Sequence, residues 1–213
     1  MKYEELLASI GGRPVFTSGL LRAGDVDTVD IASQLSRWVK SGRIIQLRRG
    51  VYALPPSYRT RPPHPFEVAN LLARPSYVSL ESALAFHGLI PEAVFTTTSV
   101  TTARAGEYAT PIGAFDYRHI APSSFWGYTA ERLPGGAEAF VARPEKALLD
   151  LVHLRPGGDG PAFLRSLRLE GAEAIDLDTL RSMALRWGRP KLVRAAERAA
   201  AIIATGRGEW EVL

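Results

Sequence analysis

Hydrophobic positions along residues 27–55 change period midway, and that change organises the chain. Ile31, Leu35, Trp38 and Val39 recur at i, i+4, i+7 and i+8, one apolar stripe of an amphipathic helix. Asp27 or Thr28 is placed to cap its start, and Gly42 to end it. The opposite face carries Asp30, Ser33, Gln34, Arg37 and Lys40. From residue 45 the period is two. Ile45 and Leu47 alternate with Gln46 and Arg48, Arg49-Gly50 makes a turn, and Val51-Tyr52-Ala53-Leu54 returns as a second strand. A helix with short polar and basic side chains on its free face, followed at once by a ribbon with arginines near its tip, is the pattern of a winged helix-turn-helix. Such side chains reach base edges and phosphates in a major groove.

Upstream, Leu6, Leu7 and Ile10 give a short helix over residues 3–10, broken by Gly11-Gly12-Arg13-Pro14. Thr17 is placed to cap a short helix through Leu20 and Leu21, with Phe16 as its hydrophobic staple, and residues 23–26 form the turn before the recognition helix. Helix, short helix, turn, helix, hairpin is the winged-helix order. The expected core is Leu6, Leu7, Ile10, Leu20, Leu21, Ile31, Leu35, Trp38, Ile45 and Val51. A domain of about sixty residues is marginal alone, so it should lean on the C-terminal part of the chain.

The expected fold is α/β of the α+β kind. A winged helix occupies residues 1–55, a stiff proline-rich linker residues 56–65, and a mixed α/β domain ending in helices residues 66–213. In that second region the patterns predict helices over residues 65–73, 80–87, 144–154, 161–169, 177–187 and 190–204. They predict strands over 94–101, 112–120, 125–128 and 139–142, and a tail from 205. Ser79 reads as an N-cap and Gly88 as the residue just past the helix end.

Charge sharpens the first region and leaves the second plain. The 213 residues carry a net +4, but residues 1–66 hold ten Lys or Arg against five acids, and residues 67–213 sixteen against seventeen. No Asp or Glu occurs over residues 31–66, which contain Arg37, Lys40, Arg43, Arg48, Arg49, Arg59 and Arg61. Ordinary surfaces intersperse both signs, so this block points to double-stranded DNA. The DNA-contact candidates are Thr28, Ser33, Gln34, Arg37, Lys40, Arg43, Arg48 and Arg49, with Arg59 and Arg61 on the DNA backbone. Cysteine is absent, which removes disulfides, thiolate zinc sites and thiol nucleophiles. No apolar run spans a bilayer, and the N-terminus lacks a signal-peptide core, so a cytoplasmic protein away from membranes is expected.

Catalytic, metal and cofactor sites are not expected. His64, His87, His119 and His153 are scattered, with no pair at metal-binding spacing, and His87 suits a helix C-terminus. Glu81 and Arg104 read as polar anchors in a buried network. Glu145 suits a helix start, and Lys146 with Asp150 a simple i,i+4 pair. Gly157-Gly158-Asp159-Gly160 is a turn rather than a phosphate loop, because no Lys-Ser or Lys-Thr comes after it. A second basic cluster, Arg181, Arg186, Arg189, Lys191, Arg194 and Arg198, is partly balanced by Asp176, Asp178 and Glu197 and reads first as a solvated face. An acidic partner or an extended DNA track is the alternative.

Three stretches carry a family resemblance: Arg43-Ile-Ile-Gln-Leu-Arg-Arg-Gly-Val-Tyr-Ala-Leu-Pro55, Tyr77-Val-Ser-Leu-Glu-Ser-Ala-Leu-Ala-Phe-His-Gly-Leu-Ile-Pro-Glu92, and Ala142-Arg-Pro-Glu-Lys-Ala-Leu-Leu-Asp-Leu-Val152. In their order and spacing the chain resembles AbiEi-type antitoxins, the regulator half of type IV (AbiE) toxin-antitoxin systems of phage defence. The resemblance implies an N-terminal winged helix that binds inverted repeats in its own promoter and represses the operon. It also implies a C-terminal domain that counteracts a nucleotidyltransferase-like toxin, directly or indirectly. It transfers the DNA role to the helix and wing residues named above and assigns no toxin-contact residue. Two other readings stay open. One is a plain winged-helix transcription factor with a ligand-sensing or dimerising C-terminal domain, which a non-toxic neighbouring gene would favour. The other is a DNA-acting nuclease, which metal-dependent cleavage of the promoter would favour.

Overall fold

The first elements are α1 (Tyr3–Ile10), β1 (Val15–Thr17), α2 (Ser18–Leu21), α3 (Thr28–Lys40), β2 (Ile45–Arg48) and β3 (Val51–Ala53). The structure is a computed structural model and describes residues 2–21, 28–169 and 174–210. The expected Asp27 cap and the turn at 23–26 lie outside those residues. β1 pairs antiparallel with β3, which pairs antiparallel with β2, giving a sheet of order β1-β3-β2. This is the winged-helix arrangement. The sequence pattern does not reveal β1, and Phe16 pairs with Tyr52 across the sheet instead of stapling a helix. Gly50 makes the wing turn at φ +82°, a left-handed conformation glycine adopts without strain.

The winged-helix core is Leu6, Ile10, Phe16, Leu21, Ile31, Leu35, Trp38, Ile44 and Tyr52, with Leu54 and Tyr3. Four of the ten expected core residues shift: Leu7 is only partly buried and Val51 belongs to the core of the C-terminal region. Leu20 is exposed, and Ile44 takes the core position in place of Ile45, which is only partly buried. The other face of the small sheet belongs to a different cluster: Val15, Leu47, Val51 and Ala53 pack into the core of the C-terminal region. The winged helix therefore leans on the rest of the chain through its own sheet, as its small size requires.

The proline-rich stretch does not run extended throughout, and it folds back on α1. Pro56–Tyr58 is a turn of 3-10 helix. Tyr58 meets Tyr3 edge-on at 5.3 Å, and the Thr60 hydroxyl donates to the Gly12 carbonyl at 3.1 Å. α4 (Pro65–Leu72) comes next, with His64 as its N-cap accepting from the Phe66 N–H at 3.1 Å.

A six-stranded mixed sheet forms the second layer: β4 (Ser76–Val78), β5 (Thr96–Thr101), β6 (Gly106–Thr110), β7 (Gly113–His119), β8 (Tyr128–Leu133) and β9 (Ala137–Ala142), in the order β6-β7-β5-β4-β9-β8. α4 covers one face, where the Tyr117 hydroxyl donates to the Ala69 carbonyl at 2.6 Å. α5 (Leu80–Phe86) and α6 (Pro144–Leu154) lie on the other. α7 (Pro161–Ser166), α8 (Leu177–Trp187) and α9 (Pro190–Trp210) pack around α6 and one another. The expected strand over 125–128 is absent: a 3-10 turn at Pro122–Ser124 precedes it, and β8 starts only at Tyr128. α9 runs to Trp210, beyond the expected end.

α6 is fixed to the sheet by a buried polar cluster. Lys146 and Asp150 are both fully buried and form an ion pair. Asp150 Oδ2 also accepts from the Tyr77 hydroxyl at 3.0 Å and the Ser79 hydroxyl at 2.7 Å. Ser79 therefore spends its side chain on Asp150 instead of capping α5, which has no side-chain cap. Lys146 Nζ lies 3.9 Å from the Trp187 ring centroid, with Trp126 at 5.1 Å and Tyr77 at 5.6 Å. Burial works against both charges, pushing the Asp150 carboxyl up and the Lys146 ammonium down. Glu145 is also buried, and it accepts from the Asp176 N–H at 2.9 Å, tying α6 to the start of α8.

Candidate nucleic-acid interface

α3 buries Ile31, Leu35 and Trp38 and turns Ser33, Ser36, Arg37 and Lys40 outward. The burial pattern arises from the apolar period, so the exposed residues fall on one stripe at i, i+3, i+4 and i+7. Ser36 belongs to that stripe but is not one of the sequence candidates; its offset from Ser33 and Lys40 is the signal that could have found it. Gln34 is half-buried and its Oε1 accepts from Arg37 Nη2 at 2.6 Å, so it orients the arginine. Thr28 begins α3.

Beyond α3, Arg43 is exposed, with its guanidinium 5.3 Å from the Tyr3 ring centroid. Tyr3 in turn donates to the Arg43 carbonyl at 2.8 Å, which holds the segment entering the wing. Arg49 stands exposed at the wing turn. The wing is tied to α2 by the Ser18 N–H, which donates to the Gly50 carbonyl at 2.9 Å. Among the described residues, Arg37, Lys40, Arg43 and Arg49 have no carboxylate partner.

Arg48 points elsewhere. Its Nη1 donates to the carbonyl of Leu72, the last residue of α4, and its guanidinium lies 4.8 Å from the Tyr108 ring centroid in β6. The cation thus satisfies an orphan helix-end carbonyl and stacks on an aromatic ring. The register shift between Gln46 and Arg48 in β2 gives this turn of direction. Arg61, the other backbone-contact candidate, is likewise committed: it forms a two-pronged ion pair with Glu67 at 2.8 Å for each bond. Arg59 is half-buried.

Three of the six cations of the second basic cluster are paired with carboxylates. Arg181 pairs with Glu197 and Asp178, and Arg194 and Arg198 with Asp159. Lys191 donates to the Arg155 and His153 carbonyls, and Arg186 lies over Trp126 at 4.3 Å. The histidines bond to backbone or pack on rings: His87 Nε2 meets the Ala142 carbonyl at 2.8 Å, His119 Nδ1 the Ala103 carbonyl at 3.0 Å, and His153 the Trp187 ring at 5.0 Å. Glu81 and Arg104 do not anchor a buried network; Glu81 is half-buried beside an open groove and Arg104 is exposed. Among the described residues, no cluster of His, Asp and Glu is arranged to hold a metal ion, and no helix is long and apolar enough to cross a membrane.

The arrangement defines a winged-helix module joined to an α+β region. Residues 15–55, from β1 through the end of the wing, match the family model described as transcriptional regulator, AbiEi antitoxin. That match supports the resemblance and a transcriptional-regulator antitoxin. Among solved structures, the chain is similar to the crystal structure of the RV2827C protein from Mycobacterium tuberculosis, at 15% identity over 94% of this chain and 80% of that one, with a TM-score of 0.47. No curated protein matches the chain.

Proposed function

We propose that this cytoplasmic protein is a DNA-binding antitoxin. It represses its own operon through α3 and the wing, and its C-terminal region counteracts a nucleotidyltransferase-like toxin. The observation that carries the DNA half is the exposure of Ser33, Arg37, Lys40, Arg43 and Arg49 on α3 and the wing: four of them are cations with no carboxylate among the described residues to neutralise them. Phosphate contacts from the cations supply most of the affinity, and Ser33, Gln34 and Arg37 on α3 read base edges, Arg37 held for that purpose by Gln34. The inverted repeats expected in the promoter place one winged helix on each half-site. The family match over residues 15–55 supports the regulator assignment.

The test has two arms. Binding of the full chain to its own promoter duplex is measured against a scrambled duplex over a salt series. Growth is measured in cells expressing the adjacent gene with and without this protein. Specific, steeply salt-dependent binding and rescue of a toxic neighbour are expected. Equal affinity for both duplexes would refute the operator reading, and a harmless neighbour would refute the antitoxin reading.

A further inference from the structure

Arg43 is the cation between the recognition helix and the wing, and its backbone is fixed on the helix side. Gly42 takes φ +70°. Its N–H donates to the Val39 carbonyl at 3.1 Å, and the Arg43 N–H donates to the Trp38 carbonyl at 2.9 Å. These two bonds are the pair of a Schellman ending, with Arg43 as the second residue past the helix. Ile44 follows it into the core, while the Arg43 side chain stays exposed.

Tyr3 of α1 meets Arg43 twice. Its hydroxyl donates to the Arg43 carbonyl at 2.8 Å, and the Arg43 guanidinium lies over its ring, 5.3 Å from the centroid. The Tyr3 ring is held edge-on from two sides, by Trp38 of α3 at 5.5 Å and by Tyr58 of the proline-rich stretch at 5.3 Å. Burial and the neighbouring Tyr58 raise the Tyr3 phenol above its ordinary value, against the opposing pull of Arg43, so the hydroxyl remains a donor. A guanidinium laid over a ring keeps its in-plane N–H donors free for a phosphate. It also surrenders part of its rotamer freedom before DNA arrives, and a pre-set side chain loses less on binding. Arg37 is oriented from its own helix by Gln34. Arg43 is oriented from outside the helix and wing.

We infer that Tyr3 is a positioning residue of the DNA interface, holding Arg43 where it meets a phosphate while Tyr58 steadies the Tyr3 ring. α1 and the proline-rich stretch thereby set a contact that the recognition helix and wing do not set alone. The inference rests on the DNA-binding reading.

The experiment measures binding of the full chain to its own promoter duplex, with a scrambled duplex as control, over a salt series. The variants are Arg43→Ala, Tyr3→Leu, Tyr3→Phe and Tyr58→Ala, each tyrosine change also combined with Arg43→Ala. All are assayed below the onset of thermal unfolding. Arg43→Ala should lower the slope of log affinity against log salt by about one. Tyr3→Leu, which removes ring and hydroxyl, should weaken binding about fivefold, and Tyr3→Phe, which keeps the ring, by less. Tyr58→Ala, at an exposed position, should weaken it about twofold and carries the test if Tyr3→Leu does not fold. In the Arg43→Ala background the tyrosine changes should have no further effect. Equal losses with and without Arg43, or no loss at all, would make Tyr3 a purely structural residue and overturn the inference. Specific binding that Arg43→Ala leaves unchanged in affinity and slope would also overturn it, with the DNA-binding reading intact. Equal affinity of wild type for both duplexes would remove that reading, and the inference with it.

Discussion

Removing the Lys146 side chain as Lys146→Met tests what holds α6 to the sheet. The methionine keeps most of the volume among Trp187, Trp126 and Tyr77 but deletes the charge. Asp150 is then left at 0% exposure with only the Tyr77 and Ser79 hydroxyls, at 3.0 and 2.7 Å, to offset its burial. Breaking a buried pair from one side costs about 3–5 kcal/mol, and two hydroxyl donors return about a third of that, so a loss of roughly 2–4 kcal/mol is expected. In a protein of this size that lowers the melting temperature by roughly 5–15 °C. Asp150→Asn should cost a similar amount, because it strands the ammonium inside the aromatic cage. The double variant Lys146→Met/Asp150→Leu should cost less than the two singles together, leaving a coupling of about 2 kcal/mol or more.

The pH dependence has a definite sign. Burial raises the Asp150 carboxyl above its ordinary value of 3.8. A raised folded-state pKa gives stability that is present below 3.8 and lost as pH rises through the folded value. Without Lys146 that loss is larger, so the gap between Lys146→Met and wild type should be greatest at neutral pH and narrow as the solution is acidified. Urea denaturation followed by circular dichroism at several pH values reads this. A single-variant cost below about 1 kcal/mol, or a gap that widens in acid, would refute the argument that an uncompensated buried charge is what the mutation creates.

Three other contacts give measurable outcomes. Arg49→Ala should lower the slope of log affinity against log salt on promoter DNA by about one, while Arg48→Ala should leave the slope unchanged and cost about 1 kcal/mol of stability; equal slope changes would put Arg48 on DNA after all. His153 is pushed down to about 4 by burial, Arg189, Lys191 and Lys146. Its depressed value makes stability full above about 6.5 and lost as pH falls toward 4, by roughly 1–2 kcal/mol after solvent screening; His153→Gln should flatten that part of the unfolding profile, and an unchanged profile would exclude His153 as the source. Gly127 has φ +79°, and a Cβ there would lie 3.0 Å from Lys146 Cγ, so Gly127→Ala should lower stability by about 2 kcal/mol in thermal unfolding, and a neutral result would show that Lys146 can move aside.

Regular, well-punctuated elements are legible in the sequence. α6 and α8 begin and end where Pro144, Asp176 and Gly188 place them, because proline at a first helical position, an N-cap carboxylate and a left-handed glycine act locally. The short strands are not. β1 and β4 have three residues each, too few for a period, and β8 carries Glu131 and Arg132 in a strand with an irregular burial pattern. The candidate site is legible on α3, where periodicity decides exposure. It is not legible at Arg48, whose neighbour Arg49 has the same chemistry. What separates them is a bulge and the carbonyl at the end of a helix 24 residues further on. Lys146 and Asp150 read as a simple i,i+4 pair for the same reason: spacing shows that they meet, while their burial depends on Trp126, Trp187 and Tyr77 arriving from elsewhere.

Shared packing then decides how the two proposed activities can be separated. The small sheet of the winged helix gives one face to its own core and the other, through Val15, Leu47, Val51 and Ala53, to the core that holds Val68, Ala69 and Leu72 of α4. Arg48 closes the same seam from the wing. Cutting the chain in the proline-rich stretch would expose both sides of that contact, so loss of function in either fragment would report unfolding as much as lost recognition. The charges offer a cleaner division. Exposed cations without a carboxylate partner among the described residues lie on α3, at Arg43 and at the wing turn, while Arg181, Arg194 and Arg198 of α8 and α9 are paired with Asp159, Asp178 and Glu197. Arg37 and Arg49 are exposed and take no part in the seam, so single substitutions there should change DNA affinity while thermal unfolding stays within about 0.5 kcal/mol of wild type.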